Sequence, residues 1–445
     1  MKKAMTILIS SIIFLSALFM APVSEVNAVE YNVNIQLKSK SIYLENLDTE
    51  TVVYSKEPDE RRFPASTTKI MTYIITAEHV SDFEHTQVTV KDEVLSLLDG
   101  TGSSVAGLEN GEKLTVYQLL NCLMIPSGND AALVLADYIG GGDISKFVDM
   151  MNDKARELGC GQTHFANPHG LNDPNHYTTV SDMAKITKYA LTLPGFAEIS
   201  DTVTSDCLGE ERYLVTTNYM IDENRGGEYY YPYAKGIKTG STGNDSGYCL
   251  VSTASKNGYT YLCVAYGAPY EDENGEAYDN GAMLDSAGLY KWAFENLSIK
   301  TIIEKNDLTR EIDLSFAWNK DKLRLKPAQS YSTIMPNDVS IDSIDKVYDI
   351  PDSVEAPVKE GQKLGTLTLS YANQKIAEID LLAGESVDRS ELLSAVAVIK
   401  EIVSSNWFIT VFIVICSLVL IYFIIAAVYN KRKNSSRAVK KKRKF

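Results

Sequence analysis

Residues 407–429 form a run of 23 residues without one Asp, Glu, Lys or Arg. In lipid such a run can satisfy its own backbone groups only as a helix. At a rise of 1.5 Å per residue it is long enough for a hydrocarbon core about 30 Å thick. Trp407, Tyr422 and Tyr429 are suitable interface aromatics. Residues 431–445 then carry nine Lys or Arg and no acid. The positive-inside bias places that tail in the cytoplasm and the large preceding region outside, as a single-pass membrane protein. Topology and contact with membrane lipid account for the basic tail, so no nucleic-acid partner is expected.

The other end fits export. Lys2 and Lys3 precede an apolar run from Ala4 to about Val23, and Val26-Asn27-Ala28 ends in small residues. Residues 1–28 are therefore expected to be a signal peptide. An uncleaved anchor is the alternative, and the break at Pro22 favours cleavage. Between residues 29 and 430 there are 32 basic and 57 acidic side chains, a formal charge of −25. Such a surface repels polyanions, so an anionic substrate needs a local cationic pocket. Of six cysteines, Cys416 lies in the apolar run, and Cys122, Cys160, Cys207, Cys249 and Cys263 remain outside. None has zinc-like spacing. Cys249 and Cys263 fall on neighbouring strand segments, which leaves one disulfide open.

The exported part changes character along its length. Ile42-Tyr43-Leu44 and Thr51-Val52-Val53-Tyr54 flank Asn46-Leu47-Asp48 and suit a hairpin. Pro64 precedes a helix of about 15 residues starting near Ala65. Residues 115–192 are helix-rich, with breaks at Pro126-Ser127-Gly128 and Gly140-Gly141-Gly142. Thr179 and Asp182 have the spacing of a capping box. Residues 247–253 and 259–266 flank the turn Lys256-Asn257-Gly258, and an amphipathic helix follows over residues 283–297. From residue 299 to 387 short strand-like runs alternate with Pro, Asp and Gly turns, which reads as a small all-β domain. Residues 388–406 look like a helical linker into the span at 407–429, and 430–445 form the tail.

Three motifs carry the chemistry: Ser66-Thr67-Thr68-Lys69, Ser127-Gly128-Asn129 and Lys238-Thr239-Gly240, about 60 and about 110 residues apart. Singly each suits an ordinary helix turn, helix cap or solvated lysine. In this order they form the signature of an acylating serine site. Residues three apart share a helix face, so Lys69 reaches Ser66 and, when neutral, serves as general base to that nucleophile. Desolvation and a second cation, Lys238, would lower its pKa. Ser127 suits a proton relay, and Asn129 suits a substrate amide. Lys238 and Thr239 suit a carboxylate, and Gly240 permits close approach of a peptide. The backbone N–H groups of Ser66 and Ser241 suit an oxyanion hole.

These motifs resemble those of low-molecular-mass penicillin-binding proteins of the D-alanyl-D-alanine carboxypeptidase family. The match extends through Pro64 to Thr72, through Asn129-Asp130-Ala131-Ala132, and through Gly236-Ile237 to Gly240-Ser241-Thr242. Asn167-Pro168-His169-Gly170-Leu171 and the His176 segment resemble another family stretch. The likeness covers about residues 31–298, making 29–298 the expected catalytic domain. It implies an α+β, penicilloyl-serine-transferase-like fold: a sheet flanked by helices, with an all-helical subdomain. It also predicts the β-rich domain and a C-terminal membrane attachment. The implied reaction is release of the terminal D-alanine from a peptidoglycan stem ending in D-Ala-D-Ala, through an acyl-enzyme on Ser66 that beta-lactams also form. Ser241 and Thr242 join Asn129, Lys238, Thr239 and Gly240 as expected substrate-binding positions. No cofactor and no metal are implied.

Two departures stand out. Many relatives lie on the membrane through an amphipathic helix, whereas this chain has an apparent span. Some relatives have an arginine where this chain reads Gly267-Ala268-Pro269-Tyr270. Other chemistries fit less well. His79, His85, His164, His169 and His176 include no H-E-x-x-H. No G-x-S-x-G marks a Ser-His-Asp hydrolase, and the His169 segment lacks the glutamate of a class A beta-lactamase. A DD-endopeptidase and a non-catalytic penicillin-binding wall sensor remain the alternatives.

Overall fold

The computed structural model describes residues 31, 33–272, 274–372 and 374–441, with side chains as far as residue 432. Residues 1–28, the expected signal peptide, and the last residues of the tail lie outside the described residues. Two compact units form. One runs to Ile302 with Ser332–Ile344 and Ser370–Ile376; the other takes Ile303–Tyr331, Asp345–Leu369 and Ala377 onward.

The first unit is built on five antiparallel strands. β1 (Ser41–Asn46) and β2 (Thr51–Lys56) make the N-terminal hairpin, with Ile42 opposite Lys56. After α1 (Lys69–His79) come α2 (Val116–Met124), α3 (Asn129–Ile139), α4 (Ile144–Glu157) and α5 (Val180–Ala190). Then β3 (Ala234–Ser241), β4 (Tyr248–Lys256) and β5 (Tyr259–Ala268) complete the sheet in the order β2-β1-β5-β4-β3. α6 (Gly281–Asn296) covers one face, and α1 and α5 lie on the other. With both faces covered, the middle of β4 and most of β5 are buried on successive residues. This is the fold the motifs imply.

The pleat decides the cysteines. Cys249 packs with Val251, Val264 and Tyr266 on the helical-subdomain face. Cys263 packs with Leu250, Ala265 and Tyr290 on the α6 face. The register pairs Ser252 with Cys263 and sets Leu250 against Ala265, so the two thiols point to opposite sides of the sheet. Both are free thiols, and no disulfide joins them.

Helix starts are set by local hydrogen bonds. Thr115 and Gln118 form a reciprocal capping box at α2: Gln118 N–H donates to Thr115 Oγ1 at 3.2 Å, and Thr115 N–H donates to Gln118 Oε1 at 2.9 Å. At Thr179 only half of the expected box exists. Thr179 Oγ1 accepts from Asp182 N–H at 3.1 Å, while the Asp182 carboxylate accepts from Gln162 N–H and Thr163 Oγ1.

The second unit is a sheet with its own buried leucines. Its strands are β6 (Arg310–Ser315), β7 (Lys322–Pro327), β8 (Asp345–Asp349), β9 (Ser353–Glu355), β10 (Lys363–Tyr371) and β11 (Gln374–Ala383). Their spatial order is β8-β10-β11-β7-β6-β9, with only β6 and β9 known to run parallel among the described pairings. Leu323, Leu325, Leu367, Leu369 and Leu381 are fully buried, alternating with exposed or half-buried neighbours. α7 (Glu391–Ser404) follows, then α8 (Asn406–Lys441). Within α8 the stretch Asn406–Arg432 is long and apolar enough to cross a membrane, and its side chains are not covered by protein.

Candidate active site

Ser66 sits in a single 3-10 turn, Ala65–Thr68, that leads into α1. Three residues per turn stack positions i and i+3, which brings the Lys69 side chain under the Ser66 hydroxyl. Lys69 Nζ lies 2.9 Å from Ser66 Oγ, 2.6 Å from Asn129 Oδ1 and 2.9 Å from the His169 carbonyl oxygen. The last two partners are pure acceptors. A neutral amine has two N–H groups for them and one lone pair left, which then accepts the Ser66 O–H. An ammonium would give its third N–H to Ser66 Oγ instead, so the geometry holds Lys69 against the Ser66 hydroxyl in either protonation state.

Electrostatics shift Lys69 toward its neutral form. Lys69 is fully buried, and its ammonium is held well below the usual lysine range by burial first and by the nearby Lys238 charge second, with Asp130 opposing. Lys238, on β3, is 1% exposed, and burial pushes it down to about 7. Its Nζ donates to the Thr239 carbonyl at 3.1 Å.

Close backbone approach assembles the rest. β3 lies against the Ser66 turn, and a Cβ on Gly240 would come within 3.0 Å of the Ser66 backbone nitrogen. A Cβ on Gly170, whose φ is +94°, would stand 1.9 Å from the Ala65 carbonyl oxygen. No other residue fits there without moving the nucleophile turn. Ser66, Asn129, His169, Asn172, Ser241 and Thr242 line one cleft of about 370 Å³. Among the described residues no carboxylate lines it.

The remaining expected residues are placed as follows. Ser127 is 5% exposed at the break between α2 and α3, with φ +66°, and its hydroxyl has no hydrogen-bond partner among the described residues. Thr239 Oγ1 meets Thr217 Oγ1 at 2.5 Å. Asn129 Oδ1 accepts from Lys69, which leaves its NH₂ and a second lone pair of the carbonyl open to the cleft.

Sequence reasoning assigned no role to Asp130 or Thr217, and His176 entered it only through its family-like segment. Asp130, 2% exposed, accepts backbone N–H bonds from Ala106, Gly107 and Leu108 at 2.9, 2.9 and 3.1 Å. It pins the loop whose Thr101 to Ser104 portion lines the cleft. An acidic residue directly after the Ser-x-Asn motif, at a helix start, was the available signal. Thr217 had no signal, because only the tertiary fold brings it to Thr239. His176 serves the nucleophile helix: Ala166 N–H donates to its Nδ1 at 3.1 Å, which leaves Nε2 protonated toward Thr68 Oγ1 at 2.8 Å. Burial holds His176 down at about 4 and His169 at about 3, so both rings are neutral.

Residues 26–269 match the family model described as D-alanyl-D-alanine carboxypeptidase, and residues 298–389 match that of the penicillin-binding protein 5 C-terminal domain. The D-alanyl-D-alanine carboxypeptidase DacF of Bacillus subtilis is 31% identical over 363 residues, covering 80% of this chain and 88% of that protein. A D-alanyl-D-alanine carboxypeptidase of a Streptomyces species is 34% identical over 227 residues, 49% of this chain and 77% of its own. Among solved structures, penicillin-binding protein 5 of Haemophilus influenzae superposes with a TM-score of 0.65 at 24% identity, covering 81% of this chain and all of that one. The Streptomyces K15 DD-transpeptidase gives 0.52 at 28% identity over 59% of this chain and all of its own.

Proposed function

The chain belongs to the D-alanyl-D-alanine carboxypeptidase family, and on that premise we propose that it hydrolyses the terminal D-Ala-D-Ala bond of peptidoglycan stem peptides, with Ser66 as nucleophile and Lys69 as its base. The single observation that carries this reading is the fully buried Lys69 amine 2.9 Å from the Ser66 hydroxyl.

In this mechanism Lys69 takes the Ser66 proton as Oγ attacks the carbonyl carbon of the penultimate D-alanine. The N–H groups of Ser66 and Ser241 receive the developing oxyanion. Ser127 passes the proton to the leaving amine, and the C–N bond breaks to free D-alanine. Water then attacks the Ser66 ester, with Lys69 again the nearest base. Among the described residues no carboxylate lines the cleft to activate that water, unlike the class A beta-lactamase arrangement. Asn129 NH₂ and the Gly240 edge of β3 hold the peptide, and Thr242 flanks it. Lys238 and Thr239 hold the terminal carboxylate. Thr217 adds a hydroxyl beside that of Thr239.

The catalytic region, residues 29–298, is taken to lie outside the membrane and the basic tail, 430–445, inside. One experiment tests nucleophile and orientation together. A membrane-impermeant fluorescent penicillin added to protoplasts should label the wild-type chain and leave Ser66→Ala unlabelled. Labelling of the variant would refute the nucleophile, and labelling only after lysis would refute the orientation.

A further inference from the structure

A second cavity, of about 570 Å³, adjoins the Ser66 cleft; Lys40, Arg61, Arg62, Tyr177 and Asp245 are among its lining residues. The wall between the two is a short chain of side chains. Thr242 Oγ1 donates to Asn172 Oδ1 at 2.8 Å, and Asn172 Nδ2 donates to Asp245 Oδ2 at 2.6 Å. Asn172 and Thr242 line the cleft, and Asp245 lines the second cavity.

Three cations in one cavity are unusual in an exported region of formal charge −25. They are not equivalent. Arg62 is committed within the fold, donating from Nε to Ser41 Oγ at 3.0 Å and pairing with Glu57. Arg61 is held but unspent. Its Nε donates to Gln162 Oε1 at 2.9 Å, and its guanidinium carbon stands 4.3 Å from the centre of the Tyr177 ring. Its terminal nitrogens meet no acceptor among the described residues. Nor does Lys40 Nζ, whose alkyl stem lies along Gly267, where a Cβ would come within 3.2 Å of Lys40 Cβ. Asp245 is the one acidic side chain in the lining, and its carboxylate is turned to Asn172.

We propose that this cavity binds a carboxylate carried by the stem peptide upstream of its penultimate residue, with Arg61 and Lys40 as the donors. The proposal rests on the carboxypeptidase reading, which fixes the direction of the peptide. With the terminal carboxylate at Lys238 and Thr239 and the scissile carbonyl at Ser66 and Ser241, the peptide runs antiparallel to β3. Its upstream residues therefore leave the cleft past Thr242, at the Asn172–Asp245 wall. A guanidinium whose plane is fixed by an aromatic ring presents a ready fork to a carboxylate, and an ammonium beside it adds a point charge. The acidic surround disfavours the same ligand elsewhere on the surface.

The test uses the full-length protein in detergent. Two peptides end in D-Ala-D-Ala and differ only in a free carboxylate or its amide at the upstream residue. Wild-type kcat/KM should favour the acid form about tenfold. In the double variant Arg61→Gln, Lys40→Gln the ratio should fall to about 1, with trapping of labelled penicillin reporting a folded site. If the double variant does not trap penicillin, the single substitutions read the same ratio. Equal wild-type rates, or a preference that survives the substitutions, would overturn the proposal. Titrating the same peptides onto the Ser66→Ala protein separates the two readings. Absence of turnover in wild type contradicts the carboxypeptidase assignment. Acid-selective binding that disappears on replacing Arg61 and Lys40 upholds the cavity even then, and binding without acid selectivity refutes it.

Discussion

Lys69→Gln should lower kcat/KM for D-alanine release by about 10³, within the range of about 10²–10⁴ set by a positioned base. Acylation by penicillin should slow by a similar factor, because the same proton must leave Ser66 in both reactions. The expectation follows from how little else can take that proton. Among the hydrogen bonds of the described residues, Lys69 Nζ is the partner of the Ser66 hydroxyl, and no carboxylate lines the cleft. Glutamine retains an amide in the same space but offers no basic lone pair. Thermal unfolding of the variant reads any loss from disturbing a fully buried position. A variant that keeps its acylation rate and changes only KM would show that Lys69 holds substrate and is not the base.

Lys238→Gln should have two separable effects. The first is on pH dependence. Lys69 is held below the usual lysine range by burial and then by the Lys238 charge. Removing that charge removes one cause of the depression, so the Lys69 pKa rises. The base must be neutral to act, so the acid limb of the kcat/KM profile moves to higher pH. At a fixed pH on that limb each unit of movement costs about tenfold in rate. The second effect is loss of a partner for the terminal carboxylate, which raises KM at every pH. Together they predict a fall of about 10² near neutral pH that is partly recovered on raising the pH. An acid limb that stays where it is in the wild type would mean that burial alone sets the Lys69 pKa.

The features legible in the sequence are those fixed by short-range geometry. The three-residue spacing of Ser66 and Lys69 holds whether the turn is α or 3-10, and so their contact follows from the motif. The hairpin over β1 and β2 follows from alternation around a short turn, and the long apolar helix from composition. What the sequence hides depends on the meeting of distant segments. The motif gives Asn129 a place beside a substrate, but its contact with Lys69, 60 positions away, appears only in the fold. Thr217 acquires its place only when the loop before β3 folds beside Thr239. The relation of Cys249 to Cys263 needed the register of β4 on β5, where a one-residue slip would have exchanged the faces. The Arg61 and Lys40 cavity is assembled from five separate stretches of chain, none with a motif.

The most direct measurement is D-alanine release from a peptide ending in D-Ala-D-Ala, using the full-length protein in detergent, with Ser66→Ala beside it. The account predicts stoichiometric release of D-alanine and the shortened peptide by the wild type, and none above background by the variant. Release that persists without the Ser66 hydroxyl, or a folded, penicillin-trapping wild type that frees no D-alanine, would contradict it.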